Sequence, residues 1–95
     1  MSYALRRAAQ AGRTAFVLKL LDRGDDIDSA EDDGITALMF AAEGGHIDVV
    51  MLLIQYRADV HAVDVDGLTA LELAEVNGHK DIADLMRAAG MNKNG

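Results

Sequence analysis

The sequence predicts an all-α repeat solenoid, built from about three helix-turn-helix units joined by β-turn loops. Three observations carry this prediction. The chain repeats itself at an offset of 33 residues. Glycine falls at matching places in successive units: Gly12, Gly45 and Gly78, and again Gly34 and Gly67. Its apolar residues are mostly small or aliphatic, with four aromatics (Tyr3, Phe16, Phe40, Tyr56) and no proline. A period of this size marks supersecondary units that bury their apolar faces by stacking.

The elements come in order from the middle unit. Asp33-Gly34 recurs as Asp66-Gly67, Thr36-Ala37-Leu38 as Thr69-Ala70-Leu71, and Gly45-His46 as Gly78-His79. Backwards, Leu38 maps to Leu5, Ala41-Ala42 to Ala8-Ala9, and Val50 to Val17. Thr36 is placed to cap a helix with its hydroxyl. Leu38, Ala41 and Ala42 then fall at helical spacing. That helix stops at Gly44-Gly45, where left-handed backbone carries no Cβ penalty. A second helix is predicted from Ile47 to Tyr56, with Val49, Val50, Leu52, Leu53 and Tyr56 as its apolar face. The next stretch is rich in Asp and Gly, as turns are. By the same register the first unit holds helices over Tyr3–Ala11 and Thr14–Arg23, and the third over Thr69–Val76 and Lys80–Ala89. The units run over about 1–31, 32–64 and 65–91, with a short polar tail at 92–95, in one domain.

The middle block, Asp33-Gly34-Ile35-Thr36-Ala37-Leu38-Met39-Phe40-Ala41-Ala42-Glu43-Gly44-Gly45-His46-Ile47-Asp48-Val49-Val50, resembles the signature of the ankyrin-repeat family. The third unit, from Asp66-Gly67-Leu68-Thr69 to Gly78-His79-Lys80-Asp81-Ile82-Ala83, is similar to it as well. The resemblance covers Ala4 to Gly90. There are departures. The family's Thr-Pro-Leu-His reads Thr36-Ala37-Leu38-Met39 and Thr69-Ala70-Leu71-Glu72 here, which removes a histidine that the family uses between neighbouring repeats. The glycine after the second helix is Gly24 in the first unit but Arg57 in the second, and a non-glycine in left-handed backbone costs about 1–2 kcal/mol. Lys19 stands where the second unit has Leu52, which gives the first unit a polar face of the kind a solenoid end requires.

The composition narrows the function classes. A formal charge of −7 argues against nucleic acid, whose phosphates need a basic stripe, and against an anionic membrane surface. No apolar run approaches the roughly 20 residues of a membrane span, and the first residues lack the apolar stretch of a secretory leader. Without cysteine there is no disulfide framework or thiolate nucleophile, and a cytoplasmic, reducing location is expected.

The sequence holds no complete enzyme motif. His46 and His79 admit a metal or catalytic reading, but they recur at the repeat spacing and are expected to bond local backbone where the second helix opens. His61 reads as a turn residue. The acidic run Asp25, Asp26, Asp28, Glu31, Asp32, Asp33 fails as a calcium loop, because Glu31 falls at the glycine position and Ala37 at the last ligand. The loop from Ala62 fails at Leu73. There is no nucleophile elbow, and Gly44-Gly45 is a helix turn rather than a phosphate cradle. No catalytic residue, cofactor or metal is expected.

The resemblance implies a protein-binding module, used as an adaptor or regulatory binder, whose loops act as fingers and whose first helices form a palm. Carried over, the finger positions are Ala30, Asp32, Asp33 and Ile35, then Val63, Val65, Asp66 and Leu68. The palm positions are Gln10, Glu43, Gly44, Val76 and Asn77, with Met39 near the same face. Apolar residues in an acidic loop also fit an interface with an apolar centre and a charged rim. The expected partner is a protein with a basic or mixed surface, and the chain is expected to be monomeric. The alternative is a structural or engineered scaffold with no specific partner of its own, or a unit that self-associates through its two ends.

Overall fold

A computed structural model describes residues 3–90; the predicted tail 92–95, and Met91 at the end of the third unit, lie outside the described residues. Among these residues there are six helices and no strand: α1 (Tyr3–Gln10), α2 (Thr14–Asp22), α3 (Ala37–Gly44), α4 (Ile47–Gln55), α5 (Ala70–Val76) and α6 (Lys80–Ala88). The fold is the all-α repeat architecture that the period predicts.

In the second and third units the first helix is started by local chemistry. The Thr36 hydroxyl accepts the Met39 amide at 3.3 Å. Thr69 does the same for Glu72 at 3.2 Å, and the Glu72 carboxylate returns to the Thr69 amide at 3.0 Å, closing a capping box. Such caps satisfy amides that the helix leaves open, and losing one costs about 1 kcal/mol. Glu72 thus takes the position of the family's histidine and uses it within its own unit.

The helices stack in two rows. In the first row α1 packs on α3 and α3 on α5; in the second, α2, α4 and α6 succeed one another. Small residues, Ala8, Ala9, Ala41, Ala42 and Ala74, let the first helices come close. The second row supplies larger side chains, and Val17, Val49, Val50, Leu53, Ile82 and Met86 are fully buried. Truncating one buried leucine costs about 2–5 kcal/mol. Against an expected total of about 5–14 kcal/mol for a chain of this size, any one of them matters.

The packing corrects two expectations. Met39 is 1% exposed and lies in the core, not near the palm. The position faces inward in the first unit too, where Arg6 is 7% exposed, and a thioether fills it with no strong polar group to satisfy. Tyr56 is not part of an apolar face. It is exposed, and its hydroxyl donates to Asp22 Oδ1 of the preceding unit at 2.7 Å, a bond that raises its pKa above the usual phenol value. No described helix is long and apolar enough to cross a membrane.

Candidate protein-binding surface

The two loops between units are held by their own aspartates. In the first, the Gly34 amide donates to the Glu31 carbonyl at 2.9 Å, and Asp33 Oδ1 accepts the Ile35 amide at 3.0 Å. In the second, Asp64 Oδ1 accepts both the Asp66 and Leu68 amides at 2.9 Å, while the Asp64 amide donates to the Leu68 carbonyl at 3.0 Å. These are turns stabilised by Asx bonding. The fingers are also tied to each other. The Val65 amide donates to the Asp33 carbonyl at 3.0 Å, and the Gly34 Cα lies so close to the next finger that a Cβ there would meet the Asp64 backbone at 3.0 Å. At the finger base, Asp28 Oδ1 accepts the Asp59 amide at 2.8 Å.

With backbone and aspartates so occupied, the sequence-derived finger residues divide into two groups. Ile35 and Leu68 are half-buried and pack against the core, so their apolar surface belongs to the stack. Val63 and Val65 are 52% and 69% exposed. Asp32, Asp33 and Asp66 are exposed beside them, with Ala30 at the start of the first finger. Asp32 and Asp66 accept no side-chain hydrogen bond among the described residues, which leaves their carboxylates to face outward. Asp25 does not join them, because the Arg23 guanidinium bonds it at 2.9 and 3.0 Å and holds its carboxyl below the usual aspartate value.

The palm residues form a second strip. Gln10, Glu43 and Val76 lie at the ends of α1, α3 and α5 at equivalent register, with Gly44 and Asn77 next to them, and all five are exposed. The fingers enter at the other ends of these helices. A helix of eight residues is about 12 Å long, so the two strips are separated by roughly that span. Between them stand Arg7 and the half-buried Phe40, equivalent positions that the sequence-derived set omitted. The repeat offset alone would have named them. Val76, 69% exposed, is the apolar residue of the far strip.

The histidines are structural in a different way from that expected. His46 Nε2 donates to the Gln10 carbonyl at 2.9 Å, and His79 Nε2 to the Glu43 carbonyl at 2.9 Å. Each ring therefore bridges to the preceding unit rather than to local backbone. The reason is space. A Cβ at Gly12 would sit 2.5 Å from His46 Nδ1, and one at Gly45 2.7 Å from His79 Cε1. The bare glycines of one unit make the slot for the next unit's imidazole. Among the described residues no group of three His, Cys, Asp or Glu is placed to hold a metal ion.

Stacked helix pairs, glycine slots and paired fingers agree with a family match. The model for ankyrin repeats (3 copies) matches residues 5–95. The chain belongs to the ankyrin-repeat family, whose members are in general protein–protein interaction modules. The comparison with curated proteins gives no match.

Proposed function

We propose that this chain is an adaptor or regulatory binding module that grips another protein with its two fingers and the ends of its first helices. The observation that carries this reading is the exposure of Val63 and Val65, 52% and 69%, on a loop whose turns are already closed by backbone and Asp64 bonds. Neither valine is needed to hold its own finger, and exposed apolar side chains on a rigid loop are what an interface centre requires. Asp32, Asp33 and Asp66 form the charged rim, and Ala30 sits with them. Gln10, Glu43, Gly44, Val76 and Asn77 supply the far edge. The partner's matching surface is basic or mixed, because carboxylates at the rim speed encounter with cations and reject other acidic surfaces. No side chain of this surface is assigned a catalytic role, and the work is recognition.

The test starts from a partner captured with the intact chain. Val63→Ser and Val65→Ser combined with Asp66→Lys should weaken its binding at least tenfold while shifting the melting temperature little. Unfolding of the triple variant would show that the valines belong to the core and would overturn the assignment.

A further inference from the structure

We propose that Ser29 is a phosphorylation site for a protein kinase that reads acidic residues, and that buried Arg6 captures the resulting phosphate. The proposal stands apart from the partner-binding reading and does not need it.

The chain has five serine and threonine hydroxyls: Ser2, Thr14, Ser29, Thr36 and Thr69. Ser29 differs from the rest in its downstream neighbours. Glu31, Asp32 and Asp33 stand two, three and four residues beyond it, all exposed, in a loop without helix or strand. The four residues after Ser2, Thr14 and Thr36 contain no carboxylate, and Thr69 is succeeded only by Glu72. Glu72 and the Thr69 hydroxyl are both engaged in the capping box of α5. Kinases select substrates by charge pattern, and a run of carboxylates after the hydroxyl is the pattern that a basic substrate groove accepts.

The second observation is independent of that pattern. Arg6 on α1 is 7% exposed, and its Nη1 donates to Ser29 Oγ at 2.6 Å. Its Nη2 lies 3.8 Å from Glu31 Oε2, a longer pairing. Arg6 donates in this contact, so the Ser29 hydroxyl proton is not used by it. An open hollow of about 520 Å³, lined by Tyr3, Arg6, Asp26, Ser29 and Glu31, adjoins the pair. A guanidinium already bonded to the hydroxyl is placed to bond the phosphate that replaces it, in the two-point fork that arginine favours.

The reaction needs ATP and the kinase. The Ser29 oxygen attacks the γ-phosphorus, the O–P bond forms as the bond to the β-phosphate breaks, ADP leaves, and the hydroxyl proton passes to the kinase's base. The product adds nearly two negative charges to a loop that is already acidic. Repulsion opposes this, but the exposed carboxylates act through water of high dielectric, and salt screens those farther off than about 8 Å. Arg6 acts at bonding distance and with little exposure to water, and Asp25 is already paired with Arg23. Glu31 gives up the weaker contact. Capture therefore outweighs repulsion and ties the first finger to α1.

The experiment treats the full chain with an acidic-directed serine/threonine kinase and magnesium ATP, and maps the product by tandem mass spectrometry. One phosphoryl group on Ser29 is expected, formed at least tenfold more slowly in the Glu31→Gln, Asp32→Asn, Asp33→Asn triple variant. No incorporation, or incorporation at another hydroxyl alone, overturns the site. Capture is read by a ³¹P titration of the modified chain against a phosphopeptide spanning residues 25–33, which carries the same carboxylates without Arg6. The second phosphate ionisation should fall below the peptide's value, and the modified chain should melt several degrees higher. An ionisation at or above the peptide's value, with a lower melting point, overturns capture. Arg6→Gln should return the ionisation to the peptide's value, and the wild-type titration decides the matter even if that variant does not fold.

Discussion

Arg57 has a φ of 67°, and it is the one non-glycine with positive φ among the described residues. Its equivalents, Gly24 and Gly90, have φ of 96° and 80°. All three come after a second helix, and the Arg57 and Ala58 amides reach back to the Ile54 and Leu53 carbonyls at 3.0 Å, which closes the last turn. An arginine there strains against its own Cβ by about 1–2 kcal/mol. No ion pair within the described residues compensates it. Arg57→Gly should therefore gain roughly 1 kcal/mol, less the entropy that glycine adds to the unfolded chain. A thermal melt should show a rise of several degrees. A fall would show that the arginine side chain contributes more than its backbone costs. This residue was legible in advance because the period sets it against two glycines. Met39 was not: its side chain goes inward, as Arg6 does at the equivalent place in the first unit, and that direction is set by packing between units rather than by residue type.

At the scale of the element, helix boundaries were readable because capping threonines, glycine stops and apolar spacing are all local features. Each observed helix end lies within a residue of the one predicted. A contact that spans two units was not readable from one. The histidines stand at the helix starts that the repeat predicts, but their partners are not local, since the acceptor carbonyl lies 36 residues back in the chain. The same fact makes a double-mutant cycle informative. Gly12→Ala should destabilise strongly, because its Cβ meets the His46 ring and its φ of 73° disfavours any side chain. His46→Ala should cost roughly 0.5–1.5 kcal/mol for the lost bond. In the His46→Ala background the clash is gone and only the backbone cost remains, so Gly12→Ala should hurt less there. Additive losses in chemical denaturation would mean that ring and glycine do not meet.

At the scale of the whole molecule, the two ends of the stack decide whether copies join. Positions that face the next unit can be recognised by what is buried in the second unit and open in the third. Ala42 is fully buried, but its equivalent Glu75 is exposed. Ile54 lines an apolar hollow with Leu85 and Ala89 of the third unit, whereas its equivalent is Arg87. Arg87 pairs with Glu75, and with Asp84 at 3.2 Å, so the open face of the third unit is sealed by an ionic cluster. The first unit is sealed differently. Val49 and Ile82 are fully buried, while their equivalent Phe16 is half-open and covered by the Arg13 guanidinium at 4.9 Å from the ring. Stacking end to end would strip water from Arg13, Glu75 and Arg87, and burying charges without new partners costs more than their contacts return. The chain should therefore run as a monomer in size-exclusion chromatography with light scattering. The two substitutions Glu75→Ala and Arg87→Ile rebuild the third unit's open face on the pattern of the second, with apolar surface where the ions were. That variant should associate as concentration rises, while the wild type does not. A wild type that dimerises at the same concentration, or a variant that stays monomeric, would show that the ionic ends are not what keeps the copies apart.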